Sequence, residues 1–308
     1  MKLSQLNHFI AAAERGSLRA AARDLKASQP AISRTIREIE HEVGAPLFER
    51  HQKGVALTAS GVAFLRRALA VREEMRRAQE EIDQIKGEMT GEVAVAMTAV
   101  AAFTLLPRAL PAFHRRYPDA RAKVTTGFFP GAESALHSGQ LDFYVGPLRD
   151  RSAMAKFSVE KLFDHRWVVV GRKGHPLAAC RSLAELGGAR WAKVALTESA
   201  YEADIARPFI ERGLSAPQVV LQCSSAVTNL MAVATSDLLT IVPRQLLNTP
   251  VSSDKFSVFD LAEPLDGAPI YAVRRADMPL TPLAEYFFDM IRRAAGSLIR
   301  DGRIDPMP

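Results

Sequence analysis

The segment from Ser28 to Arg34 most constrains what this chain can fold into, because a helix start is followed at once by a basic face. Ser28 can accept hydrogen bonds from first-turn N–H groups, and Pro30 lies where a missing N–H costs no intrahelical bond. A helix is therefore predicted to begin here. Apolar residues then recur at spacings of four, three and four, which predicts one buried stripe: Ile32, Ile36, Ile39 and Val43.

The other face of this predicted helix is polar and basic, with Gln29, Ser33, Arg34 and Arg37 directed outward. Arg and Gln side chains are the usual bidentate partners of base edges in a major groove, and short hydroxyl side chains also donate to phosphates. The pattern favours a DNA-recognition helix. The alternative is an ordinary surface helix with a capping serine.

Two further helices are predicted upstream of this one. The first carries its apolar face from Leu3 to Ala13 and ends at Gly16, after which Ser17 can cap the next helix. That second helix, 18–25, is rich in alanine and also carries Arg19. Its small side chains would let it lie close against the recognition helix, so the pair is predicted to form a helix-turn-helix.

A β-hairpin is predicted after Pro46, with strands at 47–50 and 55–57. Arg50 and Lys53 lie near its tip, where they could reach phosphates or the minor groove. The hairpin would therefore be a wing beside the recognition helix. The predicted DNA-binding residues are Arg19, Ser28, Gln29, Pro30, Ser33, Arg34, Arg37, Arg50 and Lys53.

A long helix is predicted over 62–86, which contains neither Gly nor Pro. Its apolar residues alternate spacings of four and three throughout, as in a coiled-coil seam. We expect this seam to pair two copies of the chain, the alternative being a long helix folded onto its own domain. The seam residues are Phe64, Ala68, Val71, Met75, Ala78, Ile82 and Ile85.

Beyond Gly91, short apolar strands alternate with helices, which predicts α/β sheets covered by helices. Strands are predicted at 93–97, 122–126, 142–145, 167–170, 193–196, 219–222, 239–242 and 270–273. Helices are predicted at 107–116, 133–138, 203–212, 226–234 and 282–295.

A ligand site is predicted in this region, because open α/β sheets bind ligands beyond the carboxyl ends of their strands, where helix N-termini attract anions. Three segments that follow strands or precede helices carry suitable hydroxyl and apolar side chains. For each hydroxyl taken singly, a plain helix cap is an equal alternative. The predicted ligand-binding residues are Thr98, Ala99, Phe129, Pro147, Thr197, Ser199, Tyr201 and Ser225.

Composition suits a basic, DNA-binding protein of two or three domains. The chain has 308 residues, 48% of them hydrophobic, and a formal net charge of +6. Cys180 and Cys223 are too far apart for a metal-ligand spacing and favour two small core residues, with a redox pair as the alternative. With neither an apolar leader nor a membrane-length apolar run, a cytoplasmic protein without membrane contact is expected.

No enzyme motif competes with this interpretation. His41 and Glu42 begin like a zinc-protease motif, but Ala45 stands where the second histidine would be required. A nucleophile elbow, a phosphate-binding loop and a dinucleotide fingerprint are all absent from the sequence. We therefore expect no catalytic residue, metal or cofactor. An enzyme or a small-molecule carrier on a solute-binding-like scaffold is the alternative function.

The whole of residues 1–86 resembles the LysR-type transcriptional regulators. The resemblance rests on Gly16-Ser17-Leu18, Ala20-Ala21-Ala22, Ser28-Gln29-Pro30-Ala31-Ile32-Ser33 and Pro46-Leu47-Phe48-Glu49-Arg50, and continues more sparsely through Gly139-Gln140-Leu141-Asp142, His175-Pro176-Leu177 and Val242-Pro243.

This resemblance implies a winged helix-turn-helix domain at 1–58, a linker helix at 59–90 and an α/β effector-binding domain at 91–308. The effector domain would have two Rossmann-like subdomains of the type II periplasmic-binding-protein kind, about 92–161 with 267–308, and about 162–266. A regulator that binds double-stranded promoter DNA as a dimer of dimers is implied, with RNA polymerase as a candidate partner.

Part of the sequence is similar to regulators of toluenesulfonate and aromatic-acid degradation. This similarity lies in Arg76 to Ile82, Ser236 to Thr240 and Ile270 to Pro282. It implies a small organic anion as effector, an aromatic carboxylate or sulfonate.

Overall fold

Three helices and a two-stranded wing form the N-terminal part of the protein. The computed structural model describes residues 1–51, 54–88, 90–148, 154–194, 205–248, 254–301 and 304, without the side chains of Arg50, Pro130 and Asn248. The N-terminal elements are α1 (Leu3–Arg15), α2 (Leu18–Asp24), α3 (Gln29–Val43), β1 (Phe48–His51) and β2 (Gly54–Leu57).

The local sequence signals explain where these helices begin and end. Gly16 ends α1 in the left-handed conformation, and the Ser17 and Ser28 hydroxyls accept the backbone N–H groups of Ala20 and Ala31. Ile32, Ile36 and Ile39 are buried as predicted. The predicted burial of Val43 is wrong, because α3 ends there, at the helix edge, and its side chain is exposed.

The helix α4 (Ala59–Ile85) leaves this domain and runs along the next one. Near its start, Phe64 and Ala68 pack into the N-terminal core, where the Phe64 ring meets that of Phe9 edge to face. The first residues of the predicted seam are therefore packed against the N-terminal domain of the same chain. Beyond it, Val71, Met75, Ala78, Ile82 and Ile85 are exposed on one side of the helix.

The remaining elements form two α/β units. The first has a five-stranded sheet in the order β4-β3-β5-β13-β6, with α5, α6 and α9 packed against it. Its elements are β3 (Glu92–Met97), α5 (Ala99–Arg116), β4 (Arg121–Thr126), α6 (Phe129–His137), β5 (Phe143–Gly146), β6 (Phe157–Phe163), β13 (Ile270–Arg275) and α9 (Pro282–Arg300).

The second unit is joined to the first by two crossing segments, between β6 and β7 and between β12 and β13. Its strands pair in the order β11-β7-β10-β8-β9, with β12 also on β7. Its elements are β7 (Arg166–Arg172), β8 (Arg190–Val194), α7 (Arg207–Ile210), β9 (Gln218–Cys223), α8 (Ala226–Ala234), β10 (Leu238–Pro243), β11 (Phe256–Val258) and β12 (Leu265–Asp266). The predicted fold class, a winged helix-turn-helix followed by a linker helix and a two-part α/β domain, is thus confirmed.

Three helix starts were predicted wrongly. The helix α7 begins at Arg207, four residues after the predicted start at 203, and ends at Ile210. The helix α5 begins at Ala99, eight residues before the predicted start at Pro107, and both Pro107 and Pro111 lie inside it. The two prolines are on its exposed side, where water can bind the carbonyl groups that they leave without an N–H partner. The helix α6 likewise begins at Phe129, with Pro130 in its first turn.

Three strands, β6, β11 and β12, were not predicted at all.

Among the helices of the described ranges, none is both long and apolar enough to cross a membrane.

Candidate functional site

The predicted recognition face is exposed on α3. Gln29, Arg34 and Arg37 are exposed and Ser33 is half-buried, while the opposite side of the helix is buried in the core. Without DNA, the Arg34 guanidinium donates to the Glu38 carboxylate at 2.8 Å. That hydrogen bond is the largest cause of a lowered pKa of Glu38.

The wing is fixed to the helices on both sides. The Glu40 carboxylate of α3 accepts the backbone N–H groups of Leu47 and Phe48, at 2.8 and 3.1 Å. On the second strand, the N–H of Val55 donates to the carbonyl of Gly16 at 2.9 Å. The backbone of Arg50 lies in β1, and Lys53 lies outside the described residues.

The contribution of Glu40 was missed by the sequence interpretation. Because this side chain ties the wing to α3, the orientation of the wing depends on the recognition helix itself. Arg19 is exposed on α2, and Ser28 and Pro30 are exposed at the start of α3.

A largely apolar cavity of about 370 Å³ lies between the two α/β units. The first unit contributes Ala99, Phe103 and Phe128, and the second contributes Trp167 and Leu230 among others. Such a volume with mostly apolar walls is typical of a small-molecule site.

One charged side chain, Lys193, lines this cavity within the described residues. It stands near the carboxyl end of β8, and Ser225 at the start of α8 lies on the same side. The Ser225 hydroxyl accepts the backbone N–H of Thr228 at 3.3 Å, so it also acts as the helix cap. A cation beside a helix N-terminus favours a bound anion.

Three buried polar atoms near the cavity have no hydrogen-bond partner in the described structure. Asn229 donates its amide N–H to Thr240 at 2.8 Å, but its carbonyl oxygen has no donor. The hydroxyl groups of Thr98 and Thr104 also have no partner. Asn229 and Thr104 line the cavity, whereas Thr98 is fully buried behind Ala99.

The structure separates the other predicted ligand residues. Ala99 and Ser225 line the cavity, but the ring of Phe129 packs between Tyr144 and Phe157 in the core of the first unit. Its neighbour Phe128 lines the cavity instead. Thr197, Ser199 and Tyr201 lie outside the described residues.

Pro147 lines a second, smaller cavity of about 320 Å³ beside the crossing segments. Trp167, Ile205 and Ile241 border both cavities. Lys193, Phe103 and Trp167 were not predicted as ligand residues. Lys193 was placed at the start of a predicted strand, 193–196, whereas β8 ends at Val194 and puts this cation near its carboxyl end.

Nothing in the described part of the chain brings three His, Cys, Asp or Glu side chains together as a metal site would. Cys180 and Cys223 are both free thiols.

Two family models match the chain. The model described as "Bacterial regulatory helix-turn-helix protein, lysR family" covers residues 3–62, and "LysR substrate binding domain" covers residues 86–296.

Similar proteins include the transcriptional regulator TdcA of Escherichia coli, 27% identical over 88% of this chain and 88% of its own. An "SDS degradation transcriptional activation protein" of Pseudomonas is 27% identical over 92% of this chain and 93% of its own. Among solved structures, full-length CbnR complexed with its target DNA aligns with a TM-score of 0.70, at 23% identity, over 96% of this chain and 100% of that one.

Proposed function

The chain belongs to the LysR family of DNA-binding transcriptional regulators, and from this premise we propose how it contacts DNA and what controls it. We infer that α3 enters the major groove with Gln29, Ser33 and Arg34 at the base edges. The observation that carries this proposal is the exposed polar face of α3 opposite a fully buried one. The remaining contacts, which fix position on the backbone, are Arg19, Ser28, Pro30, Arg37, Arg50 and Lys53.

Each part of the chain has a separate role in this proposal. Residues 1–58 bind DNA, 59–90 pair two chains, and 91–308 bind the effector in a cleft between subdomains of about 92–161 with 267–308 and about 162–266. Two dimers associate into a tetramer on promoter DNA, where RNA polymerase is the partner regulated. CbnR, a structural neighbour, was crystallised with its target DNA, which supports DNA binding by this chain.

The effector is a small organic anion with an apolar body, an aromatic carboxylate or sulfonate. Apolar walls suit a ring, and Lys193 with the N-terminus of α8 suits one acidic group. One relative is named as an activator of the degradation of SDS, which is also an organic anion with an apolar body, and this supports the ligand class. In this proposal Ala99, Lys193 and Ser225 contact the ligand within the described residues. Thr197, Ser199 and Tyr201, which lie outside those residues, are retained as predicted contacts.

The DNA contacts are tested on fragments that the purified parent protein selects from random DNA. Gln29→Ala, Ser33→Ala and Arg34→Ala should each reduce discrimination against unselected DNA by about 1 to 3 kcal/mol for a good base contact. Arg50→Ala should instead weaken binding to both DNAs and lower the salt slope by about one. Arg181→Ala, an exposed arginine of the second subdomain, is the control. Unchanged selectivity in all three α3 variants would contradict the recognition-helix proposal.

The ligand site is tested by titration calorimetry with benzoate and p-toluenesulfonate. Lys193→Met keeps the length of the side chain without its charge, and should weaken binding about tenfold to a hundredfold, the worth of one charge-assisted hydrogen bond. Lys173→Met removes an exposed lysine of the same subdomain and should have no effect. If Lys193→Met binds either anion as tightly as the parent, the ligand lies elsewhere.

A further inference from the structure

Arg77 is buried in the middle of the linker helix α4, where the residue as a whole is 6% exposed. Its Nη2 donates to the carbonyl oxygens of Gly139 and Leu141, at 2.8 and 3.1 Å, and lies 3.1 Å from a carboxylate oxygen of Asp142. All three partners precede β5 in the first effector subdomain. One buried guanidinium of the helix is therefore inserted into a loop of that subdomain.

Asp142 is equally buried and joins this contact to the sheet. Its second carboxylate oxygen accepts the backbone N–H of Ala94 in β3 at 2.7 Å. Burial raises the pKa of Asp142, an effect that the Arg77 guanidinium and the Ala94 N–H oppose. One carboxylate thus connects α4, β3 and the start of β5.

The approach of the loop to the helix also requires a glycine. Gly139 has a φ of 72°, in the left-handed region, and a Cβ built there would lie 3.1 Å from the Cβ of Glu73 in α4. A side chain at this position would separate the loop from the helix by a few tenths of an ångström.

Two further contacts fix the rest of α4 to the same subdomain. Glu74 pairs with Arg275 at the end of β13, at 3.2 Å. The Gln84 side chain accepts the backbone N–H of Leu283, in the first turn of α9, at 3.0 Å. The helix is held over about three turns, from Glu73 to Gln84.

The strands that meet Arg77 and Asp142 lead directly to the ligand cavity. β3 and β5 are parallel neighbours, so both run away from α4 in the same direction. Ala99, one residue beyond Thr98 at the end of β3, lines the cavity, and the N–H of Thr98 donates to Val145 near the end of β5. From Ala94, which is bonded to Asp142, to Ala99 at the cavity the chain advances five residues, about 16 Å of extended backbone.

We propose that the Arg77–Asp142 pair locks the linker helix onto the first effector subdomain, so that the two move as one body and carry a ligand-driven motion to the DNA-binding domain. A buried ion pair fixes a geometry more reliably than it adds stability, and its value here is the fixed angle of α4. The inference rests on the ligand response proposed above. Arg77 is thus a positioning residue for a response that begins in the cavity.

The lock itself is tested without ligand or DNA, by hydrogen exchange of the full-length protein. Arg77→Met leaves the Asp142 carboxylate buried without its partner, and should speed amide exchange in 139–146 and 92–97 at least tenfold. Arg76→Met is the matched control, because Arg76 pairs with Glu73 and Glu80 of its own helix. Unchanged exchange in Arg77→Met would overturn the lock.

The positioning role is tested with the double variant Arg77→Met, Asp142→Leu, in which an apolar pair replaces the ion pair and restores stability. It should bind benzoate or p-toluenesulfonate, and DNA selected by the parent, within about threefold of the parent. Its DNA affinity should no longer change on adding the anion, whereas that of the parent and of Arg76→Met should.

A double variant that still responds like the parent would overturn the positioning role. If the parent binds neither anion in the calorimeter, the proposed effector class fails, and the exchange experiment alone still decides whether the lock exists.

Discussion

His165 is a buried titratable residue at the junction of the two effector subdomains. It is 2% exposed, meets the ring of Trp167 edge to face at 5.1 Å, and lies directly beneath Gly267 in the second crossing segment. Burial lowers its pKa to about 4, against weaker raising effects of the Ala268 backbone and Asp164. The folded protein therefore holds this imidazole neutral at pH 7.

The lowered pKa of His165 makes stability depend on pH in a defined window. The unfolded chain takes up a proton on this imidazole near pH 6.5, and the folded chain only near pH 4. The contribution of His165 to the free energy of unfolding is therefore fully present above pH 6.5 and is lost as the pH falls from 6.5 to 4. The loss should reach about 3 kcal/mol at pH 4. Urea unfolding at pH 7, 5.5 and 4.5, followed by tryptophan fluorescence, should show this loss.

In His165→Asn this part of the acid dependence should disappear, whereas exposed His114→Asn should retain it. A full pH slope in His165→Asn would assign the acid dependence to other groups. His165 could not be recognised from the sequence, because a single histidine between two strands becomes unusual only when a glycine from 102 positions later packs over it.

At the scale of elements, α4 carries apolar side chains that nothing in the described chain covers. Val71 and Ile85 are 48% and 74% exposed, and Met75, Ala78 and Ile82 lie between them on the same side. Burying each large aliphatic side chain against a second copy is worth roughly 1.5 to 3 kcal/mol. The opposite side of the helix contacts the effector subdomain, so the apolar side is available for the proposed pairing.

Val71→Glu with Ile82→Glu should therefore separate the dimer, since two carboxylates per chain would have to be buried against apolar partners. Sedimentation velocity at micromolar concentration should show a monomer for this variant. Val62→Glu makes the same change at an exposed position outside the stripe, and should remain dimeric. A dimeric double variant that still binds selected DNA would place the dimer interface elsewhere.

Elements with strong local signals could be predicted, and elements defined by distant partners could not. The helix bounds and the buried face of α3 could be predicted from Ser28, Gly16 and the isoleucines, because caps and periodicity act within one helix. β6, by contrast, exists by pairing with β13 more than a hundred residues away. The start of α5 was missed because a proline was taken as a helix start, although its exposed position allows it inside the helix.

At the scale of the whole molecule, the ligand cavity exists only where the two subdomains face each other. Hydroxyls at strand ends could be predicted one by one, but Phe103 comes from the second turn of α5 and Trp167 from the start of β7. No spacing within the sequence relates them. Phe128 and Phe129 are adjacent in sequence, and which of them faces the cavity depends on how α6 packs.

The two tryptophans report separately on subdomain closure. Trp167 borders both cavities between the subdomains, whereas Trp191 is fully buried against Phe209 inside the second subdomain. Because a ligand favours the arrangement that it binds more tightly, p-toluenesulfonate should shift closure and change the environment of Trp167 alone. Titration of the fluorescence should give a saturable signal in Trp191→Phe and none in Trp167→Phe. A signal that persists in Trp167→Phe would mean that the ligand reorganises the interior of the second subdomain, and closure around the cavity would not be the response.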